Sequence, residues 1–521
     1  MTGPANAGHA DAGRACRRAL AVQPADPMAL QRLGLILQER GAAARARAPL
    51  ARSLRLAPQV PEFHYNLANT LKALGAAEAA AAAYARALAL RPDFLQACFN
   101  LANTLRDTGR AAAAERAYRA TARVAPELAP APLNHGGLRL AQGDAAAAGR
   151  LYRHALGLRP DYAEAWHSLG VAAERDHRIV AAIGAYRRAV RLRPDYADAH
   201  WNLALALLLA GYAREGGEEY EWRWRTPAFL FPRRRFAQPE WDGAVRPGMR
   251  LLVWGEQGVG DEIMFAGLVP DLLAAGIACV LECDARLVPL FRRAFPGTAA
   301  VARRDPPDPA LSGPAVTHHV AAGSVAQRLR AGGRALLARA PYLTADAARR
   351  AELRARYERA AAGRRIVGIS WRSGNQRLGE ARTIPLPGWA PVLRTPDVLF
   401  VNLQYGDCAA DLAAARAVAG VEILRDPAVD PLRDLDGFAA QVAAMDLVVS
   451  IANTTIHTAG ALGVPAWTAQ PAAPDWRWGL TGERGPWYPG VRVLRQEPGR
   501  GWDPVVARIA ADLARWRVAA P

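Results

Sequence analysis

The sequence predicts a multidomain chain: an all-α solenoid followed by an α/β region made of two parallel-sheet halves. Two observations carry this reading. Prolines stand at 24, 58, 92, 126, 160 and 194, a spacing of 34 residues every time. Beyond residue 248, short apolar runs alternate with helical stretches, the pattern of parallel strands joined by crossover helices. The composition agrees. With 51% hydrophobic and 22% charged residues over 521 positions, the chain is long and apolar enough to bury several cores.

The first part is fixed by its period. Tyrosines repeat in the proline register at 84, 118, 152, 186 and 220. Glycines do so at 41, 75, 109, 143 and 211, with His177 filling the gap. A 34-residue period is the signature of the tetratricopeptide repeat (TPR), a pair of antiparallel helices. The clearest copy runs Trp166, Leu169, Gly170, Ala182, Tyr186, Ala189 and Pro194. Small residues let the paired helices approach, the aromatic fills the gap to the next unit, and proline ends the second helix. Units begin near 27, 61, 95, 129, 163 and 197, preceded by half a unit at about 9–23, so the solenoid spans 9–225 with six repeats. A lone second helix at its start leaves an apolar face to be covered by an upstream helix or by another surface.

One in-register column is polar: Asn66, Asn100, Asn134, Ser168 and Asn202, with Asn69 and Asn103 three residues further along the same helical face. An asparagine amide offers a donor and an acceptor, matching a peptide unit. The column either grips an extended polypeptide through Asn66, Asn100, Asn134 and Asn202 or stitches neighbouring helices together.

Residues 226–247 form an aromatic and Arg-rich linker with Phe229, Phe231, Phe236 and Trp241, expected to pack rather than swing freely. Strands are expected at 251–254, 279–283, 316–320, 366–371, 399–403, 446–450 and 465–468. A helix should follow the first strand to about 275, another should span 345–362, and a bracing helix about 503–518, within a C-terminal segment 501–521. Two Rossmann-like domains, 248–345 and 364–500, would face a cleft.

Ligands of parallel sheets sit at the carboxyl ends of strands, and three such ends carry informative loops. In the first, Gly258, Gly260 and Asp261 make a tight turn into a helix. The glycines allow close backbone approach, and Asp261 reads as a catalytic group or a helix cap. A dinucleotide fingerprint would need glycine where Ile263 stands, although Glu282 and Asp284 lie at a plausible distance for a ribose. The second offers Arg372, Ser373 and Asn375, then Arg377 and Arg382, suited to forked hydrogen bonds with a diphosphate or simply an exposed basic loop. The third runs from Ser450 through Asn453, Thr454, Thr455 and His457 to Gly463. It is a hydroxyl-rich helix start fit for phosphate, unless Asn453 is only a cap and His457 only a core residue.

Several classes are disfavoured. Five cysteines at 16, 98, 279, 283 and 408 show neither disulfide nor zinc spacing, which fits a reducing cytoplasm. No apolar run approaches the ~18 residues of a membrane span, and Met1 to Gln23 lacks a secretory core. The net charge of +18 invites a nucleic-acid partner, but Lys72 is the only lysine and arginine is spread along the whole chain, so a solvated basic surface is expected and no nucleic acid.

Together these segments resemble bacterial TPR proteins fused to a heptosyltransferase-like glycosyltransferase domain of the GT-B fold. The carrying residues are 255–262 (GEQGVGDE), Asn402-Leu403-Gln404, the run Asn453 to Gly463, Pro474-Asp475-Trp476-Arg477-Trp478, and Pro486-Trp487-Tyr488-Pro489. The asparagine column is similar to that of protein O-GlcNAc transferases and implies a polypeptide partner or acceptor. The resemblance implies transfer of a sugar from a nucleotide-sugar donor to a protein or cell-envelope glycan. Asp261 would be the general base, with Gly258, Gly260, Arg372, Ser373, Arg382, Gln404, Asn453, Thr454, Thr455 and His457 on the donor. Inversion without metal or resident cofactor would follow, with arginines and a helix N-terminus stabilising the leaving diphosphate. Asp434-x-Asp436 resembles a metal-binding pair but precedes a helix, where Asp436 reads as an N-cap. The family's phosphate-turn aspartate is replaced by Ala452, which leaves open a TPR interaction scaffold with a degenerate, inactive transferase domain.

Overall fold

The structure is a computed structural model that describes residues 4–311, 313, 315–331, 340–374 and 379–517. Asn375 and Arg377 lie outside the described residues. The chain divides into two compact units, 1–195 and 196–521.

The first unit is an all-helical solenoid. After the helix Pro4–Val22 come five helix pairs: Pro27–Glu39 with Ala43–Leu56, Pro61–Ala73 with Ala77–Leu90, Leu95–Asp107 with Ala111–Val124, Pro130–Ala141 with Ala145–Leu158, and Ala163–Arg175 with Ile179–Leu192. In the later pairs a small residue faces a large one. A Cβ built on Gly136 would lie 2.5 Å from the Tyr152 ring, and one on Gly170 2.4 Å from Tyr186. The in-register tyrosines Tyr84, Tyr118, Tyr152 and Tyr186 are all buried. Between paired helices the chain turns left-handed at Gly41, Gly75, Gly109 and Gly143, and at the same register position His177 adopts φ 56°. There a side chain occupies a conformation that glycine takes more easily.

The second unit begins with one more helix pair, Ala197–Leu209 and Ala213–Tyr220, followed by a 3-10 turn at Glu221–Arg225. By repeat register this pair belongs with the solenoid, but it packs into the α/β region. Arg223 is fully buried against Glu256 and Ser324, and Trp201 meets Tyr220 and Phe229. The linker packs as well. Trp241 is fully buried, its backbone N–H donates to the His319 carbonyl, and Glu240 bridges to His319 at a sheet edge.

Two parallel sheets follow. The first holds β1 (Arg250–Trp254), β2 (Ala278–Cys283), β3 (Ala299–Ala302) and β4 (His318–Ala321) in the order β3-β2-β1-β4. The second holds β5 (Arg365–Ser370), β6 (Val398–Asn402), β7 (Leu447–Ile451), β8 (Ala466–Gln470) and β9 (Val491–Arg495) in the order β6-β5-β7-β8-β9. β3 and β9 were not expected from the sequence. The long helix expected after β1 is broken into Val259–Ala266 and Val269–Ala274, with Pro270 in the first turn of the second piece. Proline has no N–H to continue the preceding helix.

In each sheet the chain order reverses beside the first strand, at β1/β4 and at β5/β7. Diverging loops leave a crevice at such a place. The loop after β1 and the turn after β7 lead into the helices Val259–Ala266 and Thr454–Leu462, which pack against each other.

Candidate functional site

The two helix starts meet at Gly260. A Cβ there would sit 3.2 Å from His457 Cδ2 and 3.6 Å from Thr454 Oγ1, so the absence of a side chain sets how closely the two sheets approach. Around this contact lies a cavity of about 720 Å³. Of the residues expected from sequence, Gly258, Gly260, Asp261, Ser373, Arg382, Asn453, Thr454 and His457 line it.

Charged groups of alternating sign run along the wall. Arg382 Nη2 donates to Asp475 Oδ2 at 2.8 Å, and Arg477 Nη1 donates to Asp475 Oδ1 at 2.7 Å. Arg477 Nε donates to Asp261 Oδ1 at 2.7 Å, and its Nη2 to Gln257 Oε1 at 3.0 Å. Every nitrogen of the Arg477 guanidinium is therefore engaged. Burial pushes Asp475 up, but Arg477 and Arg382 outweigh it and hold this carboxyl well below the usual range. Burial disfavours the charge on Arg477, which Asp261 and Asp475 more than restore. Asp261 also fills a capping role, its Oδ2 accepting from the Gly258 N–H at 3.2 Å. Gln257 sits at φ 65°, a costly backbone for a non-glycine. Its Nε2 donates to Tyr220 Oη at 2.7 Å, and with Arg477 this fixes the loop.

His457 is buried in the helix start. Its Nδ1 lies 3.0 Å from Tyr488 Oη, and burial lowers its pKa to about 4 although Asp261 pulls the other way. Aromatic walls come from Trp201 on the helix Ala197–Leu209 and from Trp476 and Trp478.

Three expected donor contacts are placed elsewhere, and a fourth, Asn453, reaches the cavity with its side chain already engaged. Arg372 points to the loops after β6, donating to Asp411 Oδ2 at 3.1 Å and to the Asp407 carbonyl at 2.7 Å. Gln404 is buried, and its Oε1 accepts from Ser370 Oγ and from the N–H groups of Trp371 and Arg372, so it braces the loop after β5. Thr455 is fully buried, with its Oγ1 towards the Leu403 carbonyl. Asn453 reaches the cavity wall, but its side chain is engaged. Oδ1 caps the Thr455 N–H at 3.1 Å and accepts from Ser450, while Nδ2 donates to Ser370 Oγ at 2.7 Å. The Asp434-x-Asp436 reading is also corrected. Asp434 is the cap, accepting from the Gly437 N–H at 2.8 Å, and Asp436 binds Arg293 through both oxygens.

In the solenoid Asn69, Asn100, Asn103 and Asn134 stitch neighbouring repeats. Asn69 Oδ1 accepts from Tyr84 Oη in its own repeat and from Asn100 Nδ2 in the next. Asn103 Oδ1 likewise accepts from Tyr118 and from Asn134 Nδ2 at 2.9 Å. For Asn66 the corresponding position one repeat earlier is Leu35, which has no amide to offer. Asn202 lies half-buried on the helix Ala197–Leu209.

The residues that sequence reasoning left without a role are Gln257, Arg477, Asp475, Trp201 and Trp476. Asp475 to Trp478 were visible as a motif, but a lone Asp-x-Arg carries no signal of what it will face.

Comparison with known proteins bears on the repeats. Family models for the tetratricopeptide repeat match residues 61–94 and 95–127, and one described as TPR repeat matches 178–211. The chain carries tetratricopeptide repeats. It is 37% identical over 327 residues to Protein FlbA of Caulobacter vibrioides, an overlap of 60% of this chain and 54% of that protein. The chain thus spans about half the length of this curated relative. Among solved structures, the TPR protein YrrB aligns with 36% of the chain and 96% of its own at 16% identity and a TM-score of 0.33. A thermophilic TPR protein of Thermus thermophilus, TTC0263, aligns with 35% and 100% at 27% identity and a TM-score of 0.29. Among the described residues, no helix is long and apolar enough to cross a membrane.

Proposed function

We propose that this chain is a glycosyltransferase that moves a sugar from a nucleotide-sugar donor to a polypeptide or glycan acceptor, with its two sheets as the paired Rossmann-like halves of a GT-B arrangement. One observation carries the reading. Asp261 and Arg382, 121 positions apart, line one cavity at the carboxyl ends of two parallel sheets and are joined through Arg477 and Asp475. A carboxylate able to take a proton thus faces cations able to meet a diphosphate. Thr454, at the first position of its helix, adds a hydroxyl and the positive end of the helix dipole. The TPR repeats supply a protein-interaction surface, so a polypeptide is the expected partner. Arginine would carry the diphosphate charge here, with no metal or resident cofactor invoked, and a cytoplasmic location is part of this reading.

Incubation of the purified chain with a panel of nucleotide sugars, with release of nucleoside diphosphate as the readout, tests this. Turnover with at least one donor, lost in Asp261→Asn, is expected. Absence of turnover across the panel favours the second reading, a TPR interaction scaffold with an inactive domain. That reading has its own support in Ala452 and in the internal engagement of Arg372, Gln404 and Asn453.

A further inference from the structure

Arg477 stands between the two groups whose charge changes in the proposed transfer. Its Nε holds Asp261 and its Nη1 holds Asp475, the carboxylate shared with Arg382. The four side chains sum to zero charge, two arginines against two aspartates. An incoming diphosphate therefore meets cations that are already paired. Asp475 is the more firmly held anion: it is 10% exposed and has two arginines, whereas Asp261 is 19% exposed and has one.

We propose that Arg477 couples proton uptake by Asp261 to charge release on the diphosphate. This inference rests on the glycosyltransferase reading. In the transfer, the acceptor O–H bond breaks and its proton goes to Asp261. The acceptor oxygen bonds to the anomeric carbon. The bond from that carbon to the diphosphate oxygen breaks, and its electron pair stays on the diphosphate. One negative charge thereby leaves Asp261 and appears on the leaving group. As Asp261 becomes neutral its hold on Arg477 weakens, and the guanidinium is freed to meet the new charge beside Arg382. The donor is bound only moderately while Asp261 is ionised and more tightly once it is neutral, so the interaction strengthens along the reaction coordinate.

The test is a thermodynamic cycle on the full chain, with inorganic pyrophosphate as the probe and calorimetry as the readout. Asp261→Asn mimics the neutral carboxyl and is expected to tighten pyrophosphate binding about tenfold, the scale of one charge-assisted hydrogen bond. Arg477→Gln is expected to weaken it about tenfold, and in the Asp261→Asn/Arg477→Gln double variant the gain from Asp261→Asn should vanish. A gain that survives without Arg477 would show a general field effect and overturn the coupling. So would an Asp261→Asn variant with unchanged or weaker affinity, or no pyrophosphate binding to either form. Should Arg477→Gln fail to fold, Arg477→Lys replaces it. A single ammonium cannot fork between two carboxylates, so the gain should drop to about threefold, and an undiminished gain overturns the proposal. Turnover of nucleotide sugars is read separately. A cycle that fails beside normal turnover rejects only the role of Arg477. A cycle that holds beside a silent donor panel leaves an anion site and rejects the transferase.

Discussion

Arg223 and Glu256 form a two-fold ion pair, Nε to Oε2 and Nη2 to Oε1 each at 2.9 Å, with neither side chain exposed to solvent. Arg223 also donates to Ser324 Oγ at 2.8 Å and, through Nη1, to the Tyr220 carbonyl and Glu221 Oε1, each at 3.1 Å, while the Gly323 N–H donates to Glu256 at 2.7 Å. Burial pushes Glu256 up and Arg223 draws it back. The pair joins the turn after the last helix pair to the loop after β1, directly beside Gln257. Removing one partner leaves an uncompensated buried charge, so Arg223→Ala should destabilise the second unit by about 3–5 kcal/mol. Urea denaturation followed by tryptophan fluorescence checks this.

Gly260 sets the approach of the two helix starts. In Gly260→Val, branched carbons must enter a space where even a Cβ lies 3.2 Å from His457. The expected cost is about 1–3 kcal/mol of stability, together with loss of whatever ligand the cavity takes. A melting curve and a binding isotherm separate the two effects, and a variant with unchanged melting and unchanged binding would contradict the packing described.

His457 and Glu262 should give opposite pH dependences. Burial holds His457 near pKa 4 against an ordinary 6.5. Between those values the unfolded chain takes up a proton that the folded chain refuses. Stability therefore falls as pH drops through the window, by up to about 3 kcal/mol. Glu262 runs the other way: burial raises it to about 7, partly offset by Arg303 and the Asp284 N–H. The folded chain keeps that proton from pH 4.5 to 7 while the unfolded chain loses it, so its contribution declines as pH rises. The stability gap between wild type and His457→Gln should change across pH 4–6.5, and the gap to Glu262→Gln across pH 4.5–7 with the opposite slope. Denaturation midpoints on a pH series decide it.

The asparagine stitch predicts a stability effect without any ligand. Asn134→Ala removes a donor to Asn103 Oδ1, which keeps only Tyr118. The cost should be about 1 kcal/mol, read as a lowered midpoint of the helical signal. Asn66→Ala, with Leu35 in the partner position, should cost less.

Much of this architecture was legible in the residue order. The 34-residue spacing of proline, tyrosine and glycine located every helix pair, because each landmark answers a local need: a stop, a filler, a left-handed turn. Strands such as Leu251–Trp254 showed as unbroken apolar runs because both their faces are covered. β3 escaped because Ala299–Ala302 is short and alanine-rich, and β9 because Val491–Arg495 is short, with arginine at two of its five positions and so no clean apolar run or alternation. The candidate site was legible only as loops at strand ends. Sequence could place Asp261 and Thr454 at helix starts and Arg382 in a polar loop. It could not show that Gln404 and Asn453 turn inward to satisfy backbone and hydroxyl groups, or that Arg372 faces Asp411.

The sequence by itself determined the repeat, its register and the alternation of strand and helix, because periodicity and turn chemistry act over a few residues. Only the tertiary structure decided which charges share the cavity. Arg477 meets Asp261 across 216 positions of chain, and such a pairing depends on how two sheets pack against each other, a three-dimensional relationship that no short-range pattern encodes.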